Sequence, residues 1–208
     1  LSDHGISVET SSFFTYMQVL QLQQRGEHER ALELLLRNSK ISGRTVYPLM
    51  DLVTGKALLN KQDPTASDHF YRYLNRYKGD NHKKAAYRYL YWHCALADLP
   101  ATGIEMLKQA RSLPVRSDMD RQAEEDLKDP QALSLIRVGL LYDGGYDEQA
   151  MSILDDPGIR SALRSSSDRM AYHHRRGLIE FRMGRMEAAK ASFEQALQLC
   201  ERTSVGCA

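Results

Sequence analysis

The chain has 208 residues, 42% hydrophobic and 26% charged, which are proportions of an ordinary globular protein with a sizeable core. Lys and Arg number 28 against 27 Asp and Glu, so the net charge of +1 lacks the basic excess of dedicated nucleic-acid-binding proteins. No apolar run approaches the roughly 20 residues of a membrane-spanning helix. Because the sequence begins with Leu1 rather than Met, we expect it to be a fragment of a longer protein.

Proline residues mark the boundaries of the predicted elements, because proline inside a helix loses a hydrogen bond and clashes with the preceding turn. All six prolines fall between segments whose apolar residues recur at spacings of three and four, the period of a helix. Strand patterns are absent, so the predicted fold class is all-α. The predicted helices span 10–24, 27–39, 48–61, 65–77, 82–98, 101–112, 130–143, 147–155, 168–183 and 186–200.

These helices pair as five antiparallel hairpins with short turns, over about 10–39, 48–77, 82–112, 130–155 and 168–200. Residues 117–127 are polar and favour helix, which predicts a helical insertion between the third and fourth hairpins. Acidic side chains dominate this insertion, lack the spacing of a calcium loop and are expected to form a solvated helix face. They are Asp118, Asp120, Glu124, Glu125 and Asp126.

The last hairpin carries the clearest repeat pattern, in the segment MAYHHRRGLIEFRMGRMEAAKASFEQALQL at 170–199. It combines a glycine in the first helix, a glycine at the turn and a small–aromatic–small series in the second helix. These positions are Gly177, Gly184, Ala189, Phe193 and Ala196. At these five positions the segment resembles a tetratricopeptide repeat. His173 and Arg176 stand where the family pattern has large apolar residues.

Weaker copies of the pattern occur in the other four hairpins, at Gly26 and Ala31, at Ala66, at Gly103 and Ala110, and at Gly145 and Ala150. The equivalent positions Ala31, Ala66, Gly103, Ala150 and Ala189 are 35, 37, 47 and 39 residues apart. The family period is about 34 residues, and the long step contains the insertion. The resemblance implies one domain over 1–208, a right-handed α-solenoid whose stacked hairpins share a continuous core.

Motifs of common catalytic and cofactor sites are missing, including GxSxG, GxxxxGK, GxGxxG and HExxH. Adjacent His173 and His174 would point about 100° apart on a helix, which disfavours a shared metal ion. Cys94, Cys200 and Cys207 lack zinc-ligand spacing. We expect them to be free thiols in apolar surroundings, with a Cys200–Cys207 bridge as the alternative. The sequence therefore predicts no enzyme, no cofactor and no metal.

The resemblance also implies that the first helix of each hairpin lines a concave groove that holds a peptide. It assigns groove positions to the third and last hairpins: Arg88, Tyr89, Trp92, His174, Leu178, Phe181 and Arg182. Trp, Tyr and Arg dominate binding hot spots, although aromatic residues at helical spacing also pack between helices. Some family members grip a terminal carboxylate with Lys and Asn. The corresponding Tyr16 and Leu20 argue against that mode here.

The predicted function is a non-catalytic scaffold that binds a protein or peptide segment. The segment 70–94 is rich in Tyr, Lys and Arg and leaves an alternative, the binding of single-stranded RNA through stacked bases and paired phosphates. The near-zero net charge disfavours a nucleic-acid partner. A structural subunit of a larger assembly is a second alternative, and a homo-oligomer stays open.

Overall fold

The computed structural model describes residues 8–42, 47–163 and 165–203, and every regular element in these ranges is an α-helix. The all-α prediction is therefore confirmed. The chain divides into two compact units, Leu1–Leu127 and Lys128–Ala208, called unit 1 and unit 2 below.

The described part of unit 1 holds seven helices, the last of which ends at its border. They are α1 (Val8–Gln24), α2 (His28–Ser42), α3 (Leu49–Asn60), α4 (Ala66–Arg76), α5 (Lys83–Leu96), α6 (Pro100–Ser112) and α7 (Asp118–Lys128). The described part of unit 2 holds α8 (Leu133–Asp143), α9 (Asp147–Asp155), α10 (Pro157–Ala162), α11 (Ser166–Arg182) and α12 (Met186–Thr203).

The predicted helices agree with these bounds to within three residues, and the predicted insertion corresponds to α7. Helix α10 was not predicted, since six residues are too few to show a helical period. It forms because Pro157 occupies its first turn and Asp156 caps it, accepting a hydrogen bond of 2.7 Å from the Gly158 N–H.

Neighbouring helices pack in pairs: α1 with α2, α3 with α4 and α5 with α6 in unit 1, and α8 with α9 and α11 with α12 in unit 2. Within unit 1 the first helices α3 and α5 also meet, and within unit 2 α8 and α11 meet. Consecutive pairs of one unit also meet where the second helix of one pair packs on the first helix of the next, at α2 and α3, α4 and α5, and α9 and α11. The stacking of all five pairs into one solenoid stays a prediction.

The five hairpin turns share one backbone geometry. Each contains a single residue with left-handed φ, between +55° and +81°: Gly26, Gln62, Asp98, Gly145 and Gly184. The N–H of the following residue donates to the carbonyl five residues earlier, at 2.8–2.9 Å in all five turns. This hydrogen bond satisfies a carbonyl at the end of the first helix and reverses the chain. The left-handed residues are 36, 36, 47 and 39 apart, close to the spacings predicted from the sequence.

Small residues lie at the crossings inside the hairpins, as the repeat pattern predicts. The alanines of the pattern are all buried, namely Ala31, Ala66, Ala110, Ala150, Ala189 and Ala196. A Cβ on Gly177 would lie 2.7 Å from the Phe193 ring, and one on Gly103 3.3 Å from the Cys94 Cβ. Phe193 is half-buried, rather than the full core residue that the pattern indicates.

Each unit has its own apolar core. In unit 1 one cluster joins Val19, Ala31, Leu35 and Met50. The larger cluster of unit 2 connects α8, α9, α10 and α11 and includes Leu135, Val138, Leu141, Leu154, Tyr172 and Ile179.

The cysteines differ from one another. Cys94 is buried and free, as expected, and burial raises the pKa of its thiol. Cys200 is disulfide-bonded, so the expectation of a free thiol is wrong for this residue. Cys207 lies outside the described residues.

Candidate protein-binding surfaces

Helix α11 is held in place at its N-terminus by a capping box. The Ser165 hydroxyl accepts the Asp168 N–H at 2.9 Å, and the Asp168 carboxylate accepts the Ser165 N–H at 3.4 Å. The same carboxylate accepts the N–H of Ala132, at the start of α8, at 3.0 Å. One buried aspartate therefore fixes the beginning of α11 and joins it to α8.

One face of α11 belongs to the core of unit 2. Tyr172 and Ile179 are almost fully buried, and the Tyr172 hydroxyl donates to the Leu154 carbonyl at 3.0 Å. Gly177 lies against Phe193 of α12. These contacts define the rotation of α11 about its axis and hence the face that it leaves uncovered.

The uncovered face carries His174, Leu178 and Phe181, at the i, i+4 and i+7 positions that share one side of a helix. Phe181 is 58% exposed, His174 is exposed and Leu178 is half-buried. The His174 ring lies 6.0 Å from the Phe193 ring. Partial burial, together with the neighbouring Arg175, lowers the pKa of His174, which favours its neutral form at pH 7. This row of predicted groove residues, which we call the α11 face, is an accessible and largely uncharged strip.

Arg182, also predicted for the groove, is engaged inside unit 2. Its guanidinium donates to the Asp147 carboxylate at 2.6 Å and to the Tyr142 carbonyl at 2.6 Å. It also lies over the Tyr142 ring, 3.8 Å from the centroid. Arg182 thus joins α11 to α8 and α9, and its donors are directed at these partners rather than at a ligand.

The three groove positions predicted in unit 1 lie on α5, where two of them are buried. Arg88 and Tyr89 are each 3% exposed, and Trp92 is half-buried. Tyr89 stacks on Phe70 with ring centroids 5.3 Å apart. The Arg88 guanidinium lies 4.4 Å from the centroids of both the Tyr89 and Trp92 rings and pairs with Asp126 of α7. Arg88 and Tyr89 therefore present no free surface in this conformation, which corrects their placement in an open groove.

Helix α7 supplies the carboxylates that pair with α5. Asp120 is fully buried, and it accepts the N–H groups of His82 and Ala85, at the start of α5, at 3.0 and 3.1 Å. Glu124 accepts from the Lys84 ammonium at 2.5 Å, and Lys84 is 2% exposed. The expectation of a solvated acidic face is therefore wrong for the inner side of α7. It holds for Asp118 and Glu125, which are exposed.

Sequence analysis did not single out the exposed apolar residues of α1. Phe13, Phe14 and Met17 are 46%, 57% and 48% exposed, and Phe14 and Met17 border an open cleft with Leu20. Tyr16 packs instead on Tyr47, with ring centroids 5.3 Å apart. The sequence contains Phe13-Phe14 followed by Met17, which are candidates for an exposed apolar surface. However, apolar residues occur on all sides of α1, so the sequence does not indicate which side is buried.

Within the described ranges, no group of three or more His, Cys, Asp and Glu side chains is arranged to hold a metal ion. In the same ranges no helix combines the length and the apolar character needed to cross a membrane. Half-buried His173 lies in a cationic setting, where burial, Arg160 and Arg176 together lower its pKa. Comparison of the chain with protein-family models, curated proteins and solved structures finds no match.

Proposed function

We propose that this chain is a tetratricopeptide-like repeat protein that binds a segment of another protein and has no catalytic role of its own. The α11 face carries the proposal. It is a row of one aromatic, one aliphatic and one neutral histidine side chain that unit 2 leaves uncovered, while the opposite side of the same helix is fully packed. Exposed apolar rows on a rigid helix are surfaces on which a partner's apolar side chains dock.

The five equivalent turns support the repeat part of the proposal. A common left-handed residue and a common hydrogen bond recur at 36 to 47 residues, including the two hairpins in which the sequence pattern is weakest. Repeats of this length bury their apolar faces by contact with neighbours, which leaves the first helices to form a binding surface. Tetratricopeptide arrays use such surfaces for peptide recognition, so the same use is proposed here.

A display experiment tests the α11 face. Peptides are selected from a random peptide library on the immobilised chain, and their affinities are then measured for the wild type and for Phe181→Ala. Because truncation of an aromatic hot-spot residue costs 2 kcal/mol or more, we expect the selected peptides to bind Phe181→Ala at least about tenfold more weakly.

Phe14→Ala is the matched control, since Phe14 is 57% exposed and Phe181 58%, on helices of different units. The α11 face predicts that Phe14→Ala binds the same peptides as tightly as the wild type. Peptides that are insensitive to Phe181→Ala, or that depend on Phe14 instead, would contradict the assignment. Circular dichroism of each variant verifies that the fold is unchanged.

A further inference from the structure

Two cations of α5 are buried in a way that requires an anionic partner. Lys84 and Arg88 lie one turn apart, are 2% and 3% exposed, and share the side of the helix that Trp92 continues one turn later. Burying an unpaired ammonium or guanidinium is too costly for a folded protein, so such groups need carboxylates beside them. We call this row of Lys84, Arg88 and Trp92 the α5 row.

Helix α7 covers the α5 row mainly through charged groups. It contains five acidic and two basic residues, and Glu124 and Asp126 pair with Lys84 and Arg88. The buried apolar residues of α7 are Ala123 and Leu127, a small anchor for a helix of 11 residues. Its docking therefore depends largely on ion pairs and on the Asp120 cap at the start of α5.

The fit of α7 to the α5 row leaves hydrogen-bonding capacity unused. Arg88 Nη1 donates to Asp126, whereas the buried Arg88 Nε has no hydrogen-bond partner. A carboxylate that approached in the plane of the guanidinium could accept from both nitrogens, the bidentate geometry that makes Arg–carboxylate pairs strong. Trp92 is half-buried at the end of the row and offers an aromatic surface beside it. An occupant whose carboxylate also reached Nε would gain a hydrogen bond that α7 does not make.

From these observations we infer that the α5 row is a recognition site for an acidic helical segment of a partner protein, and that α7 occupies this site in the free chain. The partner segment displaces α7 by presenting carboxylates to Lys84 and Arg88. This site lies in unit 1 and is independent of the α11 face, so either assignment can fail without the other. Acidic protein is favoured over RNA, because the present occupant is a helix and its carboxylates lie along the cations.

The experiment uses a labelled peptide with the sequence of residues 117–129 and the whole 208-residue chain in which α7 has been released. Glu124→Gln/Asp126→Asn removes the two inner carboxylates. Asp118→Asn/Glu125→Gln removes two charges from the outer side of the same helix and is the matched control. We expect the peptide to bind the inner variant and to bind the wild type and the outer variant at least about tenfold more weakly, since tethered α7 competes there at high effective concentration.

Two further variants keep the test decisive. Ala123→Pro breaks α7 without altering its charges and should also admit the peptide, because proline inside a helix destabilises it. Adding Lys84→Gln/Arg88→Gln to either released chain should abolish peptide binding, while circular dichroism verifies that the remaining helices are intact. Binding should also weaken as salt is raised.

Three results would overturn the inference. The first is no peptide binding to chains in which hydrogen exchange finds α7 open. The second is binding that survives the loss of Lys84 and Arg88. The third is tighter binding of a single-stranded oligonucleotide than of the acidic peptide to a chain in which α7 has been released. This result would indicate that the α5 row binds nucleic acid.

Discussion

Two glycines inside helices lie against phenylalanine rings of the partner helix, and the two sites differ in how far the ring can move. A Cβ on Gly55 would lie 2.8 Å from Phe70, which is fully buried and stacked on Tyr89. A Cβ on Gly177 would lie 2.7 Å from Phe193, which is half-buried. The geometry is the same, but only Phe193 has solvent on one side into which it can shift.

Gly55→Ala is therefore expected to destabilise the protein by about 1 to 2 kcal/mol. Overpacking of a core costs roughly 1–3 kcal/mol, and the better helix propensity of alanine offsets about 0.5–1 kcal/mol of this. Gly177→Ala, in the same kind of contact, should cost clearly less. Urea denaturation measures both. A Gly55→Ala protein as stable as the wild type would mean that Phe70 relaxes freely and that the crossing is not tightly packed.

Residues of the repeat pattern were easier to predict than residues of the binding surface. Gly177 and Ala189 were found because small residues at fixed spacing reflect helix crossings within one hairpin. Arg88 was misplaced because its burial depends on Asp126, 38 residues later in a helix outside the repeat. A single sequence gives no indication that these two charges meet. Gly55 was missed because its hairpin lacks a turn glycine to define the register.

At the scale of elements, the turns explain why two hairpins were hard to recognise. Glycine occupies the left-handed position in three of the five turns, whereas Gln62 and Asp98 occupy it in the second and third hairpins. A left-handed backbone conformation costs free energy for residues with a Cβ, so a repeat pattern predicts glycine at this position. The surrounding hydrogen bonds hold all five turns in one geometry regardless of residue type.

Gly184→Ala isolates this backbone effect, because nothing lies within 4 Å of the added Cβ. The φ of +76° should therefore be the cause of the expected loss of about 1 kcal/mol in the free energy of unfolding. Asp98→Gly, at the equivalent turn, should leave stability unchanged or raise it slightly. Denaturation curves of the two variants provide the comparison, and a Gly184→Ala protein that loses no stability would refute the argument from φ.

Helix existence and bounds followed from proline positions and apolar spacing, both of which are local properties. The partners of α7 were not predictable in this way. Its position as a polar helix was predicted, but its burial against α5 depends on complementary charges distant in sequence. Amphipathic patterns report apolar contacts, and α7 docks mainly through polar ones.

At the scale of the whole molecule, the distribution of charge favours protein over RNA as the proposed partner. Net charge is +1, and the basic side chains of segment 70–94 are largely engaged by carboxylates. Those with an acidic partner within 4 Å are Arg72, Arg76, Lys83, Lys84 and Arg88. Three of the six tyrosines of the segment are stacked within unit 1, Tyr73 on Tyr77 and Tyr89 on Phe70, whereas Tyr71 is 39% exposed.

We therefore expect the wild-type chain to bind a single-stranded RNA 20-mer with a Kd weaker than about 100 μM at physiological salt, which is the weak end of non-specific binding. Fluorescence anisotropy at several salt concentrations measures this. Neutralising phosphates releases counterions, so an RNA-binding protein would lose affinity steeply, with a slope of about −0.7 per phosphate contacted. A micromolar Kd with such a slope would show that Lys and Arg side chains of the chain are available to contact phosphates. That result would contradict the preference for a protein partner and favour nucleic-acid binding.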